Sequence, residues 1–170
     1  VDAQAQAAGL RAGMPLADAR AQVPGLITVQ HDPVAEHGWL DRLALGCNRY
    51  TPLVALDAPD GLILDIAGAE HLAGGEAGLI ADAEMRLSRL GMTVRHALGP
   101  TADAARALAR YQTRPAPDEG QAIRRLPVAA LELEPEATTA LVRAGLKTIG
   151  DLASRPMANI AARFGAGAAM

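Results

Sequence analysis

Aromatic residues are scarce in this chain: Trp39, Tyr50, Tyr111 and Phe164 are the only four in 170 residues. A core built from it must therefore be aliphatic, and the base-stacking platform of single-strand binders has too few rings to form. Cysteine is scarcer still. Cys47 stands alone, which excludes an internal disulfide and a cysteine-rich metal site. Excess positive charge is also missing. A formal net charge of −3 argues against a chain-wide electrostatic grip on nucleic acid. No segment approaches the ~20 consecutive apolar residues that cross a bilayer, and the start lacks the basic-then-apolar pattern of a signal peptide. These absences read as a soluble, cytoplasmic protein. Val1 in place of Met, in sequence already compatible with a helix, reads as the start of a fragment of something longer.

What is present suffices for a core. Hydrophobic residues make up 50% of the chain, and its length can hold one good-sized domain or a domain with a small satellite. Charge is uneven along it. Residues 1–120 carry 10 Lys/Arg against 15 Asp/Glu, whereas residues 121–170 carry 6 against 4. The C-terminal part is thus mildly basic, which permits a phosphate contact without establishing one.

The stretch from Tyr50 to Gly68 is the most informative. Apolar runs at Leu53–Leu56 and Leu62–Ile66 flank an Asp-Ala-Pro-Asp-Gly turn, the pattern of a β-hairpin. Asp60 lies at the mouth of the second strand and Asp65 five residues along. Strand side chains alternate faces, so the odd separation sends these carboxylates to opposite sides and prevents a catalytic pair.

Around the hairpin, residues 2–8 are helix-compatible, and a short helix comes next with Pro15 in its first turn and Pro24 as its stop. Ile27–Val29 reads as a short strand. Asp32-Pro33 is an N-cap followed by an N1 proline, opening a helix to about Tyr50 whose Leu40, Leu43, Ala44 and Cys47 make one buried stripe. After Gly74-Gly75 comes a helix with Leu79, Ile80, Ala83, Leu87 and Leu90 on one face, then an alternating strand-like Thr93–Leu98, then a helix from Pro100-Thr101 to about Arg110. The order hairpin, helix, strand, helix describes an α+β sheet covered on one face. Residues 112–120 are linker by composition. Beyond them, a helix over Pro135–Ala144 ends at Gly145. Thr148-Ile-Gly-Asp151 resembles a capping box that starts a helix to about Ser154, and Met157–Phe164 makes a further short helix. The apolar spacing from Gly145 to Leu152 is that of a helix-hairpin-helix unit, whose turn glycines let main-chain N–H groups reach a phosphate.

These residues carry a family resemblance. The chain resembles a Y-family (translesion) DNA polymerase, and within that family its catalytically defective accessory branch in bacterial SOS mutagenesis. Gly9-Leu-Arg-Ala-Gly13-Met-Pro-Leu-Ala-Asp-Ala-Arg20 with Val23-Pro24 is similar to the fingers signature. Tyr50-Thr-Pro with Asp60, Leu64-Asp65-Ile66 and Gly68 is similar to the palm signature. Gly145-Leu146, Thr148-Ile149-Gly150-Asp151-Leu152 is similar to the thumb. The resemblance implies a fingers-like segment at 1–30, a palm-like domain at 31–111, a linker at 112–120 and a thumb-like helix-hairpin-helix domain at 121–170.

The departures are as informative. The family holds two Mg²⁺ ions with an N-terminal palm Asp and an adjacent Asp-Glu pair, stabilising the attacking and leaving oxygens of phosphoryl transfer. By this resemblance Asp60 matches the Asp of the pair, Gly61 stands where the Glu belongs, and the N-terminal palm Asp would lie upstream of Val1. One carboxylate rarely holds Mg²⁺ alone. The family's triphosphate-gripping Tyr and Arg fall on Ala3 and Gln6, which supply neither phenol nor guanidinium fork. Thr101 and Ala102 replace an Asn-Lys pair, and Arg106 retains a second basic residue of that helix, the one residual candidate for nucleotide contact. The thumb's Gly-x-Gly turn falls on Glu132-Leu133-Glu134, where carboxylates repel phosphate. Arg143, Lys147 and Thr148 are left as weak candidates for DNA contact.

Several residues have plainer readings. Asp60 reads either as a residual metal ligand or as a turn acid satisfying local N–H groups, the second favoured. Asp65 is structural. His31, His37, His71 and His96 show no zinc spacing. Cys47 is a small core residue, and Trp39 packs beside a helix stripe. Arg86, Arg89, Arg106 and Arg110 read as solvated helix faces, with a DNA-facing role the minority reading.

The resemblance thus implies a non-catalytic polymerase-like adaptor in damage-induced translesion synthesis, with no resident metal. Its implied partners are an error-prone DnaE-type polymerase, the β sliding clamp, an ImuA-like protein and RecA, with weak contact to DNA and none to a membrane, in the bacterial cytoplasm. Clamp and polymerase contacts in the family lie mostly C-terminal to the thumb. Two alternatives stand beside it: a divergent but active lesion-bypass polymerase using Mg²⁺, and a helix-hairpin-helix DNA-binding module working through residues 121–170.

Overall fold

The computed structural model describes residues 2–156 and Ile160, the side chain of Ala3 excepted. The chain divides into two compact units, Val1–Gly38 and Trp39–Met170.

In the first unit, Asp2 caps helix α1 (Ala3–Ala7) by accepting from the Ala5 N–H at 2.8 Å. Gly9 then turns the chain at φ +87°, and a Cβ there would meet Gln22 Nε2 at 2.6 Å. Leu10 behind the turn and Ala19 of helix α2 (Leu16–Gln22) are buried. The Gln22 side chain donates to the Ala8 carbonyl at 3.0 Å, joining the end of α2 to the end of α1. Pro15 sits at the N-cap of α2, one residue earlier than its fixed φ suggested. The strand expected at Ile27–Val29 does not form. Both residues are 89% exposed and take no regular structure, since a short apolar run without a ladder partner gains nothing from extending. Asp32 opens helix α3 (Pro33–Cys47) as expected, accepting from the N–H groups of Val34 and Ala35.

In the second unit, the remaining turns of α3 bury Leu40 and partly bury Leu43, Ala44 and Cys47, the stripe expected from the sequence. Strands β1 (Val54–Asp57) and β2 (Gly61–Leu64) form the antiparallel hairpin, with Val54 opposite Leu64 and Asp57 opposite Gly61. Ala58, Pro59 and Asp60 are left to make the turn. A 3₁₀ turn (Glu70–Ala73) leads through Gly74 to helix α4 (Gly75–Arg89), and Thr101 caps helix α5 (Ala102–Tyr111).

The strand expected at Thr93–Leu98 is absent. Among the described residues the sheet has only two strands, and Thr93–Leu98 pairs with neither. Side-chain anchoring holds the segment instead. Arg95 donates to the carbonyls of Arg110 (2.9 Å) and Gln112 (2.6 Å), and Ala97 packs against the α5 core.

Two adjoining apolar clusters organise the chain beyond α4. Leu108 of α5 packs with Ala122 of helix α6 (Glu119–Arg125), Leu126 and Ala130, and Ala116 of the connecting loop joins them. Val128, in a second 3₁₀ turn (Val128–Leu131), clusters with Leu141 of helix α7 (Pro135–Arg143), Leu146, Leu152 of helix α8 (Ile149–Ala153), and Ile160. Backbone bonds from Val128 N–H to the Lys147 carbonyl and from Ile149 N–H to the Leu126 carbonyl tie the clusters together. Leu141 is fully buried, a contribution of about 1.5–3 kcal/mol for a side chain of its size. The helix expected over Met157–Phe164 lies outside the described residues, Ile160 excepted. The result is a mixed α+β fold with a small hairpin and eight described α-helices.

Candidate functional site

The hairpin turn presents Asp57 and Asp60 to one face of α5. Arg106 and Arg110 lie four residues apart on that helix, so both guanidinium groups leave it on the same side. Arg110 reaches Asp57 Oδ2 at 2.9 Å and Asp60 Oδ1 at 2.8 Å. Arg106 approaches the other Asp57 oxygen at 3.5 Å, and also Asp103 (3.0 Å) and Glu132 (3.5 Å). Asp57 is the most protected member, its side chain 14% exposed against 69% for Asp60. Its carboxylate is thus bridged between two arginines. The Arg110 guanidinium is pushed above its ordinary value, chiefly by its hydrogen bond to Asp57 and then by that to Asp60.

Gly61 sits directly against this ion pair. A Cβ at this position would stand 2.9 Å from Asp57 Oδ2, 3.0 Å from the Asp57 carbonyl and 3.1 Å from Arg110 Nη2. A side chain here would press on the paired groups, which would have to shift to admit it. A two-metal centre does not fit these residues. Position 61 offers no ligand, a cation already holds both acids, and among the described residues no three His, Cys, Asp or Glu side chains converge as a metal cluster needs.

The Asp60 carboxylate accepts from Arg110, fifty residues away, where a turn acid bonding its local N–H groups was the favoured expectation. Arg106 and Arg110 are not a solvated face; both side chains are about 30% exposed and turned onto acids. Arg86 likewise donates from Nε to Asp82 at 2.7 Å, an (i, i+4) pair. Asp57 is the site residue that sequence reasoning missed. The signal that could have found it is the facing of Asp57 and Gly61 across a three-residue turn, which gathers two acids at one end of a hairpin with an Arg-x-x-x-Arg helix downstream. Asp65 is structural as expected, bonding locally to the Ala67 N–H at 3.0 Å.

Gln6 is on α1 with Ala3, whose side chain is outside the described residues. Thr101 spends its hydroxyl oxygen on capping α5 through the Ala104 N–H, with Ala102 as first residue of the helix. In the C-terminal segment, Glu132 adopts φ +51°. It is the only non-glycine residue in the left-handed region among those described, at the position where the resemblance places a glycine. The backbone shape of a glycine turn is kept while its carboxylate turns to Arg106. Arg143 and Lys147 are exposed at the end of α7 and after Gly145. Thr148 and Asp151 form a full capping box: Asp151 Oδ2 accepts from the N–H groups of Thr148 (2.9 Å) and Lys147 (3.1 Å), and Thr148 Oγ1 accepts from the Asp151 N–H. These bonds hold the Asp151 carboxyl below the usual carboxylate range, the backbone bond from Thr148 contributing most.

His31 lies 3.3 Å from Glu36 and His96 2.9 Å from Glu84. Cys47 is half-buried, and burial raises its thiol pKa. No helix among the described residues is long and apolar enough to cross a membrane.

Comparison with known proteins accords with this geometry. The impB/mucB/samB family pattern matches residues 1–110. Protein ImuB of Caulobacter vibrioides strain NA1000 / CB15N is 45% identical over 166 residues, 95% of this chain and 36% of its own length. Among solved structures, DinB from Sulfolobus solfataricus superposes with a TM-score of 0.71 at 19% identity, over 98% of this chain and 51% of that one. An insertion ternary complex of Dbh DNA polymerase gives 0.76, also at 19% identity, over 99% and 52%. The chain thus spans about a third of the ImuB relative and half of each polymerase.

Proposed function

The chain belongs to the impB/mucB/samB family of Y-family polymerase-related proteins, and from that premise we propose that it is a polymerase body without polymerase chemistry, retained as an adaptor in damage-induced translesion DNA synthesis. One observation carries the reading: Arg110 holds Asp57 and Asp60, and Gly61 packed beside them supplies no further acid. Phosphoryl transfer by two metals needs carboxylates that are free to bind cations. Here an internal guanidinium takes the charge, and the hairpin serves as a brace between β-turn and α5. Similarity to Protein ImuB and the lack of a triphosphate grip at Ala3 and Gln6 support the same reading.

In this role the protein joins an error-prone DnaE-type polymerase, the β clamp, an ImuA-like protein and RecA, with weak contact to DNA through Arg143, Lys147 and Thr148. The weakness has a physical basis. Glu132 and Glu134 occupy the turn, and their carboxylates repel phosphate. The test is assembly: the full-length protein mixed in turn with the DnaE-type polymerase, the clamp, the ImuA-like protein and RecA, followed by gel filtration with light scattering of the eluted species. A complex that forms with the Asp60→Ala variant as well as with the native sequence supports the adaptor role. Failure to bind any of the four partners would remove it.

A further inference from the structure

A groove of about 390 Å³ runs between the C-terminal half of α3 and the C-terminal half of α4. That is at the lower end of the roughly 300–1,000 Å³ typical of ligand clefts. Its floor is aliphatic, formed by Leu43 and Cys47 from one helix and Leu87 and Leu90 from the other. Leu90 is 57% exposed and Trp39, at one wall, 47%. Apolar side chains left open side by side mark a surface for another molecule.

Every charged residue lining the groove is an arginine: Arg42, Arg49, Arg86 and Arg89. This stands out in a chain with a net charge of −3. Arg86 is paired with the nearby acid, Asp82, at 2.7 Å, and the Tyr50 hydroxyl donates to the same Oδ2, so the exposed Arg42, Arg49 and Arg89 set the charge of the groove. Arg42 stacks over the Trp39 ring at 4.6 Å, fixing the wall.

We propose that this groove binds an acidic amphipathic helix of a partner protein. Two helices with an open aliphatic seam accept apolar side chains spaced i, i+3 or i+4 along a third, and arginines on both banks select Asp and Glu on its flanks. Single-stranded nucleic acid fits less well. Phosphates would meet the arginines, but bases would meet an apolar floor, and of the two lining rings Trp39 is covered by Arg42 and Tyr50 is buried. The proposal does not depend on the loss of polymerase chemistry, and it places the groove away from the hairpin acids.

The test uses a fluorescein-labelled helical peptide with leucines at i and i+4 and glutamates on its flanks. Anisotropy reports binding to this chain, and emission of Trp39, its only tryptophan, reports the location. Saturable binding with a shift in Trp39 emission is expected, weakening as salt is added. The doubly reversed variant R42E/R89E should lose about tenfold in affinity, in keeping with removal of complementary rim charge. Leu90→Glu, an exposed change that leaves the folded core alone, should weaken binding to a similar degree. The proposal is overturned if the lysine-for-glutamate peptide binds as well, if neither variant changes affinity, or if a short oligothymidylate shifts Trp39 while the peptide does not.

Discussion

Arg110 Nη2 lies 2.9 Å from Asp57 Oδ2 directly beside Gly61, so the guanidinium occupies the space into which a side chain at position 61 would grow. The missing acid and the ion pair are two aspects of one arrangement. A side chain at position 61 requires the Asp57 carboxylate and the Arg110 guanidinium to shift from their present places.

It follows that Gly61→Glu does not restore a metal centre. The new Cβ must displace Asp57 or Arg110, and overpacking of this kind costs about 1–3 kcal/mol. Urea unfolding should show that loss, and titration with Mn²⁺ should show no binding gained by the variant.

Arg110→Met removes the shorter and better placed of the two cations facing Asp57, leaving Arg106 at 3.5 Å. Stability should fall by about 1–3 kcal/mol, as for a poorly solvated acceptor that loses its donor. Arg106→Met should cost less. In a double-mutant cycle Asp57→Asn with Arg110→Met should cost less than the sum of the single changes, because the uncompensated charge is gone.

The Thr148–Asp151 box governs the start of α8. Thr148→Ala should cost roughly 1 kcal/mol, the usual effect of losing an N-cap hydroxyl. The Asp151 carboxyl is held below its ordinary value, so its contribution is present above about pH 4, the unfolded carboxyl range, and fades as pH falls through the lower folded value. Asp151→Ala should remove that part of the acid dependence of unfolding.

Tyr50 is buried and donates to Asp82, and its phenol is pushed up to about 12, by burial first and the Asp82 hydrogen bond second. A raised phenol favours the folded state below its unfolded pKa of about 10, and that advantage disappears as pH climbs through the folded value. Ultraviolet titration of tyrosinate should show a late-ionising component that is absent from Tyr50→Phe.

Legibility from sequence tracks the range of each interaction. The hairpin is readable because turn residues and alternation are local, and the Asp32 and Thr148 caps are readable because each acts within three or four residues. Thr93–Leu98 misleads because alternation describes a pleat but does not supply a neighbouring strand. Arg110 misleads because its partners lie 50 and 53 residues away, and helical spacing shows that Arg106 and Arg110 share a face without showing what that face meets. Glu132 is the opposite case. Its departure from glycine is visible in the sequence, whereas its left-handed backbone and its contact with Arg106 require the fold.

Primer extension by the full-length protein, alone with primer–template, dNTPs and either Mg²⁺ or Mn²⁺, bears most directly on the claim that Arg110 has taken the place of the chemistry. The expected result is no template-directed incorporation above background with either ion, for the native sequence and for Asp60→Ala alike. Incorporation by the native protein that disappears in Asp60→Ala would contradict it.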